Sequence, residues 1–431
     1  MRLRVAFPVL CALLAGQPGI RAENWPQWRG PLANGVSTET GLPESWGEGR
    51  NILWKIPLAV RGHSTPIVWG ERIFVTGQKG EGPIEMRALG PGAEAAQPSG
   101  RPRFYVQCFH ISDGRLLWEY SFDAQAELTP VHPKHNLSSP SAVTDGEHVY
   151  AWFGSGRLLC LSMEGKLAWE RRLDADYGPF KLLWAHGSSP VLYQGSVILQ
   201  CDHTPGAYLL ALDKKDGRTL WKTDRGKGIR AYSTPLVVSR PEGDELVINS
   251  QNRVDAYDPR TGKHLWQAGG RNKVPVPSPI LAGGMIFINR GYSSGPFLAI
   301  RPGGRGDVSQ THVLWRRPNG GPYVSSLLHY QGLLYLATEH GILKAVDPST
   351  GQEVWKQRVG GSFSASPLAA DGKVYLFNES GEAIVIRAGR SFQLLSRIDM
   401  GERIMASPAV SAGRIYLRSE GHLYSIGLGG D

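Results

Sequence analysis

The stretch ALDKKDGRTLW at residues 211–221 returns as AYDPRTGKHLW at 256–266 and as AVDPSTGQEVW at 345–355. All three copies fit the pattern A-x-D-x-x-x-G-x-x-x-W. Their starting positions are separated by about one and about two periods of 45 residues. A fixed period in this range is typical of a chain built from stacked similar units. No such unit buries its apolar faces alone, so the units must pack on one another.

Weaker copies of the phrase fill the intervals at residues 108–118, 161–169 and 299–315. A second phrase precedes the copies: a Ser-Pro or Thr-Pro pair, then two apolar runs with a glycine turn between them. The Ser or Thr of these pairs is Thr65, Ser139, Ser189, Thr234, Ser278, Ser366 or Ser407, and Ser326 fills a further slot without the proline. The sequence therefore predicts eight units.

Each unit is predicted to form four antiparallel strands, A to D. The runs between turns, such as residues 373–377, are short and rich in β-branched and aromatic residues. Pairs such as Asp216-Gly217 supply residues that tolerate turn conformations. Four-stranded sheets repeated around an axis make a β-propeller, so we expect an all-β, eight-bladed β-propeller.

Closure of the ring is also predicted from spacing. The last unit, from Ser407, has room for three strands but no Trp strand. The segment 51–57 supplies one, because Trp54 precedes Thr65 by the same interval that separates Trp355 from Ser366. We expect this segment to pair with residues 422–425 and to remove an exposed edge. The seventh unit alone lacks its Trp, and Leu395 or Ser396 holds that slot.

Three regions are predicted along the chain. Residues 1–22 resemble a secretory signal peptide, because Arg2 and Arg4 precede an apolar stretch too short to span a bilayer. Residues 23–50 form an N-terminal extended segment, and residues 51–431 form the single propeller domain. We therefore expect a periplasmic or extracellular protein without a transmembrane segment. Its modest positive charge includes no basic block, so nucleic-acid binding is not expected.

Three cysteines remain after the predicted signal peptide: Cys108, Cys160 and Cys201. Their number is odd, and they include no C-x-x-C pair. Cys108 and Cys160 hold matching strand C positions in adjacent units, where we expect too large a separation for a disulfide. We expect buried free thiols.

The repeated phrase resembles the tryptophan-docking motif of quinoprotein propellers with PQQ-like repeats. The resemblance covers residues 51–428. The opening WPQWRGP at 25–31 is similar to the start of exported propellers common in planctomycete-type bacteria. The same repeat occurs in quinone-dependent alcohol dehydrogenases and in the BamB-type outer-membrane assembly protein. The resemblance implies that each Trp packs structurally against the neighbouring blade; these residues are Trp54, Trp118, Trp169, Trp221, Trp266, Trp315 and Trp355.

The dehydrogenases in this resemblance use PQQ and Ca²⁺, with adjacent cysteines beside the quinone and a Glu, Asn and Asp metal set. This chain has no Cys-Cys pair, and that metal set does not map onto it. We therefore assign no cofactor, metal site or catalytic residue, and keep PQQ and Ca²⁺ for the alternative of a quinone-dependent dehydrogenase. Fold resemblance by itself does not transfer chemistry.

The long loops are predicted to gather on one face. In a propeller, D-to-A and B-to-C loops emerge on one side, and this rule places residues 78–103, 121–137, 174–187, 202–207 and 290–296 together. Binding residues concentrate on such loops over a rigid scaffold. The candidate ligand-binding residues at the channel mouth are His63, His135, Asn136, Trp184, His186, His203, Tyr232, Arg290, Tyr292 and Tyr323. The spacing of His132 and His135 is not a clean metal signature.

No phosphate loop, nucleophile elbow or zinc-protease motif is present in the sequence. The sequence therefore favours a non-enzymatic binding or scaffold propeller, with a protein partner or a small polar or carbohydrate ligand on the loop-rich face. The alternatives are a PQQ-dependent dehydrogenase and an accessory protein of polysaccharide processing.

Overall fold

The structure is a computed structural model that describes residues 22–80, 101–125, 128–203, 206–251, 253–270, 274–292 and 295–429. The predicted signal peptide, up to residue 21, and most of the predicted 78–103 loop lie outside the described residues.

The described residues form strands with a single short helix, α1 (Leu173–Tyr177), which lies at the start of the predicted 174–187 loop. The strands are, in chain order, β1 (Ile52–Pro57), β2 (Ile67–Trp69), β3 (Arg72–Lys79), β4 (Arg103–His110), β5 (Leu116–Asp123), β6 (Val143–Thr144), β7 (His148–Phe153), β8 (Arg157–Ser162), β9 (Leu167–Arg172), β10 (Val191–Tyr193), β11 (Ser196–Cys201), β12 (Ala207–Asp213), β13 (Thr219–Gly226), β14 (Leu236–Val238), β15 (Glu245–Asn249), β16 (Val254–Tyr257), β17 (His264–Ala268), β18 (Ile280–Ala282), β19 (Met285–Asn289), β20 (Phe297–Ile300), β21 (Gly306–Asp307), β22 (Val313–Arg317), β23 (Leu328–Tyr330), β24 (Leu333–Ala337), β25 (Ile342–Val346), β26 (Glu353–Arg358), β27 (Leu368–Ala370), β28 (Lys373–Phe377), β29 (Glu382–Arg387), β30 (Leu394–Asp399), β31 (Ala409–Ser411), β32 (Arg414–Arg418) and β33 (His422–Gly427).

These strands form eight antiparallel blades, which confirms the predicted eight-bladed propeller. Blades one to four begin with β2, β6, β10 and β14, and blades five to eight begin with β18, β23, β27 and β31. Strand B of a blade is sandwiched between neighbouring blades, so every residue of β11 is buried. Strand D lies at the outer rim, so β13 alternates between exposed and partly buried residues.

The ring closes as predicted. β1 pairs antiparallel with β33, and the register places Trp54 opposite Ser425 and Pro57 opposite His422. The last blade is therefore built from both ends of the propeller domain. This clasp covers an edge that would otherwise present unpaired backbone groups.

Most docking tryptophans lie against the turn of the next blade. The indole N–H of Trp118 donates to the carbonyl of Met163 at 2.8 Å. Gly165 lies under the ring with a φ of 80°, and a Cβ there would lie 2.5 Å from the indole. The motif therefore needs glycine both for its backbone conformation and for the close approach. Equivalent indole-to-carbonyl bonds are made by Trp54, Trp169, Trp221, Trp315 and Trp355.

Trp266 departs from this arrangement. Its indole donates at 3.0 Å to the carboxylate of Glu245 in its own blade. The insertion after β20 folds back, so that β21 adds to blade four as a fifth strand, parallel to β17. Trp266 is fully buried as a result, and the insertion covers an outer edge of the ring.

Blade seven replaces its missing tryptophan from a distant part of the chain. Ser396 holds the slot, opposite Val385. Trp46 of the N-terminal segment packs on Tyr375 of strand B, with ring centroids 6.4 Å apart. The docking Trp355 lies 6.1 Å from Tyr335 in the same relation in blade six. The indole of Trp46 therefore supplies the aromatic contact that strand D of this blade lacks.

The N-terminal segment crosses the ring axis on the face of the A-to-B turns. Trp25 pairs with Val68 of blade one, and the carbonyl of Pro26 accepts the N–H of Thr144 in blade two. Three residues later, the Arg29 guanidinium donates at 2.7 Å to the carbonyl of Leu327 in blade six. Because blades two and six lie opposite each other in an eight-membered ring, this stretch closes one end of the axial channel.

The repeated Ser or Thr residues form a hydrogen-bonded belt around the axis. The backbone N–H of one donates to the hydroxyl of its neighbour in seven successive bonds of 2.7 to 3.0 Å. The belt consists of Thr65, Ser141, Ser189, Thr234, Ser278, Ser326, Ser366 and Ser407. In blade two the Ser139-Pro140 pair precedes β6 as predicted, but Ser141, two residues before β6, holds the belt position.

Candidate functional site

A blind axial cavity of about 460 Å³ opens on the face of the D-to-A loops. All eight D-to-A loops contribute to its wall, through residues such as His63, Tyr232, Val276 and Met405. Trp28 of the N-terminal segment also lines it. Because the segment around Trp28 crosses the opposite face, the channel is a pocket with a floor. Its volume suits a small ligand of a few rings.

Hydroxyl groups dominate the polar lining. Belt residues that face the cavity are Ser141, Ser189, Thr234, Ser278, Ser366 and Ser407, and Ser139, Ser362 and Ser364 add to them. Each hydroxyl of the belt named here accepts one backbone N–H, so its own proton and a second lone pair remain for another partner. The cavity therefore presents a ring of neutral donors and acceptors at fixed positions.

Charged side chains cluster on one side of the cavity. The Lys134 ammonium lies 2.6 Å from the Glu379 carboxylate. Glu379 also accepts hydrogen bonds from Ser362 at 3.0 Å and Ser364 at 2.6 Å. These contacts hold the pKa of Glu379 below its usual range against the opposing effect of burial. A second carboxylate, Glu339, accepts the backbone N–H of Tyr323 at 3.0 Å.

The histidines of the cavity are neutral at physiological pH. Burial, together with His135, lowers the pKa of His63 to about 3. Burial also lowers the pKa of His135 to about 4, although its ring bonds the carbonyl of His186 at 3.1 Å. Burial and the neighbouring Lys134 lower the pKa of His132. The charged side chains in the described lining are therefore Lys134, Glu339 and Glu379, and the Arg403 guanidinium lies 3.8 Å from Glu379 behind the wall.

Several predicted residues meet at this cavity. His63, His135, Trp184, Tyr232 and Tyr323 all line it. Trp184 stacks on Tyr232 with ring centroids 6.2 Å apart, so the two form a continuous aromatic wall. Whether these side chains bind a ligand stays a prediction.

Two further predicted residues, Tyr292 and Asn136, lie beside the cavity and do not line it. Tyr292 is not among its lining residues, is 46% exposed, and contacts Tyr323 edge to face at 5.2 Å. It extends the aromatic surface outward from the mouth. Asn136 accepts the N–H of Ser138 at 2.9 Å, which shapes the loop that carries His135.

The side chains of three other predicted residues do not line the cavity. His186 is fully buried between Trp152 and Phe180, and only its carbonyl supports the cavity. His203 is 1% exposed and packs on Phe180 at 4.4 Å. Arg290 is 2% exposed, and it donates to the carbonyls of Ser250 and Gly270 at 2.8 and 2.9 Å, clamping backbone together. A side chain near a strand end can point either to the axis or into the core between blades, and the position of the residue in a loop does not determine which.

The sequence reasoning missed Trp28, Lys134, Glu339 and Glu379. A signal for the carboxylates was present, because TEHG at 338–341 and NESG at 378–381 place Glu two residues before a turn glycine in matching B-to-C turns. Both glycines adopt positive φ. The repeat fixes the backbone of these turns without using the Glu side chain, so a Glu that recurs there is a candidate for function.

Comparisons with known proteins agree on the family. A family model described as "Outer membrane protein assembly factor BamB" matches residues 102–357, 306–390 and 339–427. The chain belongs to this family.

Among solved structures, this member of the BamB family is similar to BamB from Moraxella catarrhalis. The TM-score is 0.61 at 14% identity, over 88% of this chain and 98% of that one. It is also similar to quinohemoprotein alcohol dehydrogenase from Comamonas testosteroni. There the TM-score is 0.70 at 13% identity, over 95% of this chain and 81% of that one. At such identities these likenesses show the fold alone.

A curated relative is tetrathionate hydrolase of Acidithiobacillus ferrooxidans, 23% identical over 330 residues. The match covers 70% of this chain and 60% of that protein, so the chain spans less than two thirds of this relative. In the part of this BamB-family chain that the structure describes, no helix has the length and apolar character needed to cross a membrane.

The residues present do not fit the PQQ and Ca²⁺ site that the resemblance implies. Of the cavity carboxylates, Glu379 is already engaged by Lys134. Across the described residues, no group of three or more His, Cys, Asp or Glu side chains is arranged to hold a metal ion. Cys108, Cys160 and Cys201 are free thiols buried within strands, away from the cavity lining.

The histidines predict that stability falls in mild acid. His135 and His186 have folded-state pKa values below the ordinary 6.5, because both are buried. Their unfolded forms therefore bind more protons as the pH falls, so the stability they contribute is present above about pH 6.5 and is lost toward about pH 4. Urea midpoints should be lower at about pH 5.5 than at about pH 7.5. The double substitution His135→Gln and His186→Gln should shrink this difference, whereas His340→Gln at an exposed site should not. An equal or higher midpoint at the lower pH would contradict the prediction.

Proposed function

We propose that this protein is a non-enzymatic binding propeller whose axial cavity holds a small polar ligand of the carbohydrate type. The observation that carries the proposal is the blind cavity itself, which is lined both by belt hydroxyls and by aromatic rings. Flat rings such as Trp184 and Tyr232 suit the C–H faces of sugar rings. The hydroxyl ring suits their alcohol groups, since every member can both donate and accept.

The contents of the cavity favour binding over catalysis. Lys134 and Glu379 neutralise each other, and His63 and His135 are buried neutral groups rather than bases with pKa values near 7. A general acid or base works best when its pKa lies near the working pH, which neither histidine satisfies. The described lining therefore offers positions for recognition more than groups for proton transfer.

We further propose that the protein acts outside the cytoplasm, in the periplasm or beyond. This proposal rests on the signal-like segment 1–22 and on the family described as an outer membrane assembly factor. The alternative to a small ligand is a protein partner that binds the loop-rich face. The alternative to a non-enzymatic function is a quinone-dependent dehydrogenase, which the fold likeness to quinohemoprotein alcohol dehydrogenase favours.

Calorimetric titration tests the proposed function. Neutral oligosaccharides are expected to bind the purified protein and raise its melting temperature, whereas PQQ with Ca²⁺ is expected to do neither and to support no dye-linked alcohol oxidation. Trp184→Ala should weaken sugar binding about tenfold, because one aromatic wall is lost. Phe392→Ala, in the turn between β29 and β30 away from the cavity, should not. Saturable PQQ binding with turnover, and no sugar binding, would contradict the proposal.

A further inference from the structure

Glu339 is a cavity carboxylate without a strong cationic partner. Among the described residues, the basic side chain found within 4 Å is His340, whose imidazole lies 3.6 Å away and is 66% exposed. Glu379, by contrast, has the Lys134 ammonium at 2.6 Å and the Arg403 guanidinium at 3.8 Å. The two glutamates hold matching turns in blades six and seven, so the difference lies in their partners and not in their backbone.

The position of the Glu339 carboxylate is fixed. One oxygen accepts the N–H of Tyr323 at 3.0 Å, which holds the carboxylate beside the aromatic ring of that residue. Tyr323 is itself held by Tyr292, 5.2 Å away. The second oxygen of Glu339 lies 3.6 Å from the His340 imidazole, beyond hydrogen-bonding distance, on a side chain that is 20% exposed and lines the cavity. A preorganised acceptor next to an aromatic ring suits an ammonium group.

Other cations fit less well. A divalent metal ion needs several oxygen or nitrogen ligands around it, and no such group occurs among the described residues. An organic cation without alcohol groups would leave the belt hydroxyls without hydrogen-bond partners. A ligand that carries both alcohol groups and an amine would use the belt, the aromatic wall and Glu339 together.

We propose that the cavity takes a saccharide with a free, protonated amino group, and that Glu339 receives the ammonium. This proposal rests on the proposed function and names the ligand class of the same site. Glu339 forms a charge-assisted hydrogen bond to the amine, and the belt hydroxyls bind the sugar alcohols. The Lys134–Glu379 ion pair stays intact, so the Glu379 carboxylate does not bind the ligand amine.

The test compares two sugars of equal length that differ in one group. Glucosamine oligosaccharide and its N-acetylated form are titrated calorimetrically into the full-length protein at about pH 6, where the sugar amines are protonated. Wild type is expected to bind the amine form about tenfold more tightly, the usual effect of one charge-assisted hydrogen bond. Glu339→Gln should abolish this preference and leave the affinity for the N-acetylated sugar unchanged. That unchanged affinity also shows that the variant is folded.

Glu420→Gln is the matched control. Glu420 occupies the corresponding turn of blade eight but is exposed and does not line the cavity, so this variant should keep the full preference. Equal or tighter binding of the N-acetylated sugar by wild type would overturn the amine assignment and leave the proposed function standing. A preference that survives in Glu339→Gln would overturn the role of Glu339. Binding of neither sugar would overturn the inference and the proposed function together.

Discussion

A chain that begins at Leu58 is expected to lose cooperative folding and to aggregate. It lacks β1, so β33 becomes the outer strand of a three-stranded blade and has an unpaired edge. It also lacks the fully buried Trp25 and the nearly buried Trp46, both part of one core cluster. Removing a buried Trp side chain alone costs about 3–5 kcal/mol. A typical domain has only about 5–15 kcal/mol of stability in total.

Gel filtration and thermal unfolding followed by circular dichroism check this expectation. The truncated chain should elute as aggregate or unfold over a broad range. A synthetic peptide of residues 22–57, added in trans, should restore a sharp transition, because strand addition and binding energy stabilise the closed ring. A scrambled peptide of the same composition is the control. A monomeric truncated chain that melts at the wild-type temperature would show that β1 and the N-terminal segment are dispensable.

The substitution Arg225→Met is expected to cost about 3–5 kcal/mol of unfolding free energy. The Arg225 guanidinium is almost completely buried between blades three and four. It donates to Asp202 at 2.8 Å and to the hydroxyl of Tyr257 at 2.8 Å, and it lies 3.6 Å from Asp255. Without it, Asp202 is a buried carboxylate with no cation, and burial already raises its pKa. An unpaired buried charge is among the most destabilising changes in a protein.

Urea unfolding measures the loss of unfolding free energy in Arg225→Met, and this loss should depend on pH. The loss should be smaller at about pH 5 than at about pH 7.5, because protonation of Asp202 removes the unpaired charge. The matched control is Arg218→Met, which removes an ion pair to Asp213 from an arginine side chain that is 63% exposed. That variant should lose less than about 1 kcal/mol. A similar loss in both variants would mean that the buried pair contributes no more than a surface pair.

The sequence predicted the ring because the repeat is periodic. A docking Trp such as Trp118 and its partner Gly165 belong to adjacent units, so their relation recurs at one period and is visible in one chain. The same spacing located β1 as the missing strand. The exceptions could not be predicted in this way. Trp46 in blade seven and Glu245 beneath Trp266 replace a repeat contact with a residue outside the repeat pattern.

The candidate site was predicted only in part. Loop position placed His63, Trp184 and Tyr323 at the cavity, because the strand order decides on which face a loop emerges. It did not decide whether a side chain points to the axis or into the core, and His186 turned inward among aromatic rings.

The sequence by itself therefore determined the number of blades and the pairing of β1 with β33. Each of these follows from local patterns repeated at a fixed interval. Only the tertiary structure decided that the N-terminal segment crosses one end of the channel and places Trp28 in its lining. It alone brought Lys134 against Glu379 from separate blades and left Glu339 without such a partner. Lys134 and Glu379 lie far apart in the sequence, and the energy of their contact depends on burial and distance, which a linear pattern does not contain.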